Sequence, residues 1–292
     1  FVGCFVLNSN NVLQQVFKKS KPIIGMVHLK PLIGAPLYES MEKVIARAIT
    51  DAQALEVGGV DGIIVENVFD VPFYPDRVPP ETISAMTLVA AKVAENIDLP
   101  LGINVLRNDS ISAMAIATVI EASFIRVNVL SSAYVTDQGI IQNKAYELLR
   151  YRSFLRSNVK IFADLRVKYA KPLVDRPICL EAEELTTRSL ADAIIITGEK
   201  SGSPPDKSLI EAVRKCAKSP IIIGSGLTIG NLADYLPLVD GAIVGTYFKE
   251  DGIFENPVSV KRVKEFMELV ESFRSVSYTH LRAHETRHDL VC

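Results

Sequence analysis

The chain has 292 residues, 48% of them hydrophobic and 23% charged, which is ordinary globular composition and argues against a chain disordered along its whole length. Lys and Arg number 32 against 34 Asp and Glu, so the formal charge of -2 supplies no polycationic field for gripping a nucleic acid polymer, and none is expected as a partner. No run approaches the roughly 18 consecutive apolar residues of a membrane-spanning helix, so no transmembrane segment is expected.

Residues 1–20 read as an N-terminal extension. The apolar stretch 1–7 is too short for a signal peptide and lacks a basic flank, unless it is the remnant of one, and a first residue other than Met points to a reading frame that begins upstream. Cys4, Cys179, Cys216 and Cys292 are scattered, with no C-x-x-C pair, and a reducing cytoplasm is their simplest location.

Between residues 21 and 274, short β-branched runs alternate with longer amphipathic stretches. The runs are 23–29, 62–67, 101–106, 124–130, 159–167, 193–198, 221–226 and 242–246, each followed by a helical pattern. Val44, Ile45, Ala48 and Leu55 mark the first helix over 41–55, after Glu39 and Ser40 as start signals; Pro79 and Pro80 open another through 94. Ser110 caps a helix through 121, and further helices are predicted at 181–191, 206–217 and 260–273. Eight βα units predict one α/β domain, a closed (β/α)8 TIM barrel; an open doubly wound sheet is the alternative, but the dinucleotide fingerprint is absent after the first strand. The long loops after strands two, four and six would lie over the C-terminal face, where barrels bind ligands.

From Ser275 onward the hydrophobic period disappears, and residues 275–292 are read as a non-native tail resembling translated adapter sequence. His284-Glu285-Thr286-Arg287-His288 fits the H-E-x-x-H zinc pattern and His280 extends its stripe, but chance in a foreign tail explains the match.

Gly224-Ser225-Gly226-Leu227-Thr228 ends the seventh strand in a glycine-rich turn, with a short helix predicted over 229–236 and Asn231 near its start. Gly245 and Thr246 repeat the device on the eighth strand, which adjoins the seventh in a closed barrel. Glycines admit an anion close to the backbone and free N–H groups donate to it, so Gly224, Ser225, Gly226, Gly245 and Thr246 are predicted to bind phosphate. A glycine that merely ends its strand is the plainer explanation for either turn alone.

Strand periodicity puts Arg126 and Asn128 on one face of the fourth strand, with Ile125, Val127 and Val129 toward the helices. His28, Glu66, Asn67 and Asn104 end or lie in strands one to three, and Asp164 with Lys168 follows one face of the fifth. A converging set of His28, Glu66, Asn104, Arg126, Asn128, Asp164 and Lys168 suits proton transfer or stabilisation of a cationic transition state. The alternative is a satisfied polar core in which Arg126 pairs with Glu66 or Asp164 and Asn104 caps a loop. Lys168 as a Schiff-base lysine has no support from its sequence neighbours. Asp70 lies in the second loop, facing the ligand or simply solvated; Asp137-Gln138-Gly139 reads as a turn with a lid role open; Arg150 and Arg152 read as a helix face.

These motifs together resemble the BtpA/SgcQ family, a branch of the ribulose-phosphate-binding barrels. The resemblance covers nearly all of residues 21–274 and rests on Gly25-Met26-Val27-His28-Leu29 with Pro31-Leu32, Val65-Glu66-Asn67 through Asp70-Val71-Pro72-Phe73, and Gly102-Ile103-Asn104-Val105-Leu106. Phe124-Ile125-Arg126-Val127-Asn128, Thr136-Asp137-Gln138-Gly139, Ala163-Asp164, Val167-Lys168, Thr197-Gly198 and the Gly224 and Gly245 turns complete it. Ile33 stands where the family more often has Pro, Tyr169 replaces a frequent His, and Glu199-Lys200-Ser201-Gly202 varies the sixth-loop pattern.

The resemblance implies a phosphate-binding barrel and two divergent functions. One is an enzyme on a phosphorylated sugar or nucleoside, of the nucleosidase type, in which Glu66, Asp164 and Asp137 supply acid, base or oxocarbenium stabilisation. The other is an assembly factor of the photosystem I biogenesis type, which calls for an exposed docking patch and brings the only expected membrane contact, a peripheral one. No cofactor is evident; a divalent metal bound through Glu66, Asp164 or a substrate phosphate is not demanded. Homo-oligomerisation is left open.

Overall fold

Alternation within each β-branched run decides where its side chains go, one set inward to the barrel axis and the other outward to the helices. A computed structural model describes residues 11–288 of the chain, with side chains described through Ser275. Its barrel strands are β1 (Ile23–His28), β2 (Gly62–Glu66), β3 (Leu101–Asn104), β4 (Phe124–Val127), β7 (Lys160–Leu165), β9 (Ala193–Ile196), β10 (Ile221–Ile223) and β11 (Gly241–Val244). They pair in parallel and close in the order β1-β11-β10-β9-β7-β4-β3-β2, so the predicted (β/α)8 barrel is the fold. Three further strands, β5 (Ala133–Thr136), β6 (Gly139–Gln142) and β8 (Ala170–Pro172), form a small antiparallel sheet of their own.

The crossover helices are α2 (Met41–Gly58), α3 (Pro80–Ala94), α4 (Ser110–Val119), α5 (Ala145–Phe154), α6 (Ile178–Thr187), α7 (Lys207–Arg214), α8 (Leu232–Tyr235) and α9 (Val260–His288). Local signals explain their ends. The Ser40 hydroxyl accepts from Lys43 N–H at the start of α2, and Gly59 takes a left-handed φ of 92° at its end. Asp109, rather than the predicted Ser110, caps α4 by accepting from Ser112 N–H. The predicted helix over 229–236 is shorter, α8 passing into a 3-10 turn at Leu236–Leu238. The side chains of His280, His284, Glu285 and His288, and with them the H-E-x-x-H pattern, lie outside the described side chains.

Two cores follow from the alternation. The outer one joins the outward strand residues, such as Ile23, Ile63, Ile125 and Ile161, to the helices. The inner one stacks Ile24, Met26, Ile64, Phe124, Phe162, Ile195, Ile222 and Ile243 along the axis. Its lower end is closed by α1 (Val12–Phe17), within the stretch read as an extension: Val12, Leu13 and Phe17 are buried there, and Phe17 meets Phe124 edge-on at 5.5 Å between centroids. Val129, expected toward the helices, instead packs with Tyr134, Ile141 and Val167 beneath the small sheet.

Cys179 in α6 and Cys216 just beyond α7 form a disulfide with Cα atoms 5.6 Å apart. That corrects the expectation of scattered, unpaired cysteines, which was the basis for inferring a reducing location; adjacent helices bring together positions 37 apart in the chain. Among the described residues no helix is long and apolar enough to cross a membrane.

Candidate functional site

The inward residues change character toward the C-terminal end of the barrel. Above the apolar layer, β1 ends in His28, β2 in Glu66 and β3 in Asn104, while β4 offers Arg126 and, just past its end, Asn128. β7 contributes Asp164. Register sets Glu66 beside His28 on one side and Asn104 on the other. On the last two strands the corresponding positions are Gly224 and Gly245, so the polar ring has no side chains there. A cavity of about 660 Å3 opens above this ring.

Six buried polar side chains in one layer require partners, because an unpaired buried charge costs several kcal/mol. Arg126 donates to both carboxylate oxygens of Asp164, at 3.0 and 2.9 Å, and Asn128 Nδ2 donates to Asp164 Oδ2 at 3.0 Å. Asn104 Nδ2 donates to Glu66 Oε2 at 2.6 Å, and that oxygen lies 4.0 Å from Arg126. Part of the satisfied-core alternative is therefore present: Asp164 and Asn104 are engaged by neighbours and do not line the cavity. His28, Glu66, Arg126, Asn128, Asp137 and Lys168 do line it, as do Gly224, Ser225, Gly226, Gly245 and Thr246 just past the ends of β10 and β11, the second of which adjoins β1. Asn67 turns away, donating to Asp70 at 3.0 Å and accepting from Leu106 N–H at 2.8 Å, and Asp70 accepts from Leu32 N–H at 2.7 Å. Asp70 thus ties the first loop to the second instead of facing the main cavity, and burial raises its pKa.

The glycines past β10 and β11 have separate reasons. Gly226 adopts a φ of +77°, and a Cβ there would sit 2.0 Å from Pro204 N, so its identity is fixed by the loop after β9 as well as by any ligand. A Cβ on Gly245 would meet His28 Cε1 at 3.2 Å and intrude between the ring and the cavity. The Ser225 hydroxyl accepts from Gly198 N–H at 3.1 Å and donates to the Ser203 carbonyl at 2.9 Å, fastening that same loop. Among the described residues, the N–H groups of Ser225, Gly226, Gly245 and Thr246 find no acceptor. Orphan N–H groups gathered on one wall are the donors an anion needs.

Over the mouth sits the small sheet. Its β5–β6 hairpin turns at Asp137-Gln138-Gly139, Gly139 taking a φ of +100°, and β8 joins β5 from the loop after β7. Tyr169, where the resemblance expects His, accepts from Ser201 N–H at 3.0 Å through its hydroxyl and so pins the sixth loop to the fifth. The sequence reading missed several walls. Arg107 follows β3 and donates to the Lys168 carbonyl at 2.7 Å; its place at the end of a strand run was an available signal. Arg262 reaches the rim from α9, donating to the Tyr247 carbonyl at 2.7 Å with its guanidinium 4.6 Å from the Tyr247 ring, and nothing in the sequence connects it to the cup. Phe254 covers His28 at 4.6 Å between ring centroids.

Burial and neighbouring cations set the charges. Desolvation, then Lys249, Lys168, Arg126 and Arg47, hold the His28 pKa well below its ordinary value, so its imidazole is neutral near pH 7. Among the described residues the Lys168 ammonium makes no hydrogen bond or ion pair; burial and the Arg126 charge lower its pKa to about 8, against the partial opposition of Glu66 and Asp164. No group of three His, Cys, Asp or Glu among the described residues is placed to hold a metal ion. The cavity thus gathers residues with uncommitted backbone N–H groups, a carboxylate, a neutral imidazole and a readily deprotonated amine around one space.

A family model described as the BtpA family matches residues 19–272. The photosystem I biogenesis protein BtpA of Synechocystis is 44% identical over 266 residues, covering 90% of this chain and 93% of the relative. An sgc region protein, SgcQ, of Escherichia coli is 32% identical over 267 residues, covering 90% and 98%. In fold, the phosphoribosyl anthranilate isomerase of Thermus thermophilus aligns with a TM-score of 0.53 at 12% identity, over 87% of this chain and all of that one. The (S)-3-O-geranylgeranylglyceryl phosphate synthase of Thermoplasma acidophilum, in complex with sn-glycerol-1-phosphate, aligns at 0.52 and 15% identity over 87% and 95%.

Proposed function

The chain belongs to the BtpA family, and from that premise we propose that it is an enzyme acting on a phosphorylated sugar or nucleoside, cleaving an N-glycosidic bond. The supporting observation is one cavity of about 660 Å3 lined both by the residues of four uncommitted backbone N–H groups and by Glu66, Lys168 and a neutral His28. Phosphate occupies the wall of Ser225, Gly226, Gly245 and Thr246, and Arg262 stands at its rim. The sugar then lies across the polar ring. As the base departs, Glu66 offsets the positive charge developing on the sugar carbon, one of its oxygens being held by Asn104. Asp137, carried by the lid turn, receives the proton of the water that adds to that carbon. Asp164 is a positioning residue, because Arg126 and Asn128 occupy its carboxylate.

Incubation of the purified protein with a panel of nucleoside phosphates is expected to release free base, detected by chromatography, and Glu66→Gln to lower the rate about 100-fold or more. Absence of turnover on nucleoside phosphates and sugar phosphates alike, with the fold intact, overturns the reading.

A second reading has its own observation. Val135 and Ile140, paired across β5 and β6, are 47% and 56% exposed, and Leu173 and Val174 beyond β8 add to the same region. An apolar lid exterior suits docking to a partner, and the Synechocystis relative is named a photosystem I biogenesis protein. Rescue of a photosystem I deficit by a Glu66→Gln/Asp164→Asn variant favours this reading; failure of that variant alone favours catalysis.

A further inference from the structure

Three lysines are drawn into the body of the protein, and two have built partners. Lys21 donates to the carbonyls of Leu236 and Val239 at 2.8 and 2.6 Å, and Lys249 donates to Asp51 at 3.0 Å. Among the described residues Lys168 has neither hydrogen bond nor ion pair, although Glu66 and Asp164 act on it through space. Its side chain lines the cavity, and the backbone behind it is fixed by the bond from Arg107 to its carbonyl. A partly buried, cavity-facing amine left without such a partner is held where an electrophile can reach it.

We propose that Lys168 forms a covalent imine with the open-chain carbonyl of a phosphorylated aldose or ketose whose phosphate sits against the Ser225–Gly226 and Gly245–Thr246 turns. This deepens the proposed function and rests on its reading of the cavity as a phosphosugar site. The neutral Lys168 Nζ adds to the carbonyl carbon, forming a C–N bond. The carbonyl oxygen takes up one proton from the amine nitrogen and one from solvent, each relayed through Asp137 or water, and leaves as water, while the nitrogen keeps its other hydrogen. The net change is amine plus carbonyl plus one proton to iminium plus water, with no oxidant or reductant. Glu66, which lines the same cavity and acts on Lys168 through space, offsets the iminium charge. The amine needed for the first bond is available at mild pH because burial lowers the Lys168 pKa to about 8.

The full chain is incubated with ribose 5-phosphate or dihydroxyacetone phosphate in the presence of sodium cyanoborohydride, and the product is analysed by intact mass and peptide mapping. The expected result is one reduced adduct per chain on the peptide carrying Lys168, with a trapping rate that rises through about pH 8. Lys168→Met and Lys168→Arg, each checked for folding by circular dichroism, should lose the adduct at least about 20-fold. Titration calorimetry with the same sugar phosphates, and with glycerol 3-phosphate as a ligand lacking a carbonyl, runs in parallel. Binding without an adduct, or adducts spread over other lysines, overturns the imine and leaves the phosphosugar reading standing. Neither binding nor adduct overturns both.

Discussion

Arg126 carries the charge balance of the polar ring. It is 2% exposed, donates twice to Asp164 and stands 4.0 Å from Glu66, so two carboxylates depend on one guanidinium. Arg126→Met is expected to destabilise the fold by about 3–5 kcal/mol, because it strands buried negative charge without a partner. Urea denaturation measures this, and adding Asp164→Asn should recover part of the loss; additive penalties would show that the two side chains do not act as a pair. The ring itself was legible: β-strand alternation put Arg126 and Asn128 on one inward face of β4 before any coordinates. What alternation could not give is whose hydrogen bond each carboxylate takes, since that depends on the stagger between strands. Asp164 and Glu66 look equivalent in the sequence, yet one is saturated by Arg126 and Asn128 while the other borders the cavity.

At the scale of elements, the barrel strands announced themselves by a repeat of β-branched run and helix, whereas β5, β6 and β8 lie within the loops after β4 and β7, outside that repeat. The same limit hid α1, a six-residue helix whose apolar side chains fill the lower end of the barrel. Phe17→Ala is expected to cost about 3–5 kcal/mol through the cavity it leaves against Phe124 and Phe162, read as a lower midpoint in chemical denaturation. A loss under about 1 kcal/mol would mean that α1 is not part of the folded core. The α6–α7 staple is a second element-level device. Cys216→Ser should lower stability by about 2–4 kcal/mol under oxidising conditions and change little in the presence of reductant, because the bridge closes a loop of 37 positions. No spacing rule pairs two cysteines that far apart, so their meeting was invisible until the helices were placed.

For the molecule as a whole, several buried bases titrate below their ordinary values: His28 well below, Lys168 to about 8, and Lys21 and Lys249 in the same direction. The unfolded chain therefore binds more protons than the folded one in each such window, and stability rises with pH there. For His28 the window lies below the ordinary imidazole value of 6.5, so acidification through that point destabilises; for Lys168 it runs from about 8 up to the ordinary 10.5. Thermal melts across pH 5 to 7 should show a rising midpoint that flattens in His28→Gln, and an unchanged slope in that variant would contradict the assignment.

The small sheet over the mouth takes β5 and β6 from the loop after β4 and β8 from the loop after β7. Asp137 and Gln138 form its hairpin tip, and Lys168 stands two residues ahead of β8. The pairing of β5 with β8 therefore ties together cavity-lining side chains from two separate crossings, so a substitution that loosens this seam reaches Asp137, Gln138 and Lys168 at once.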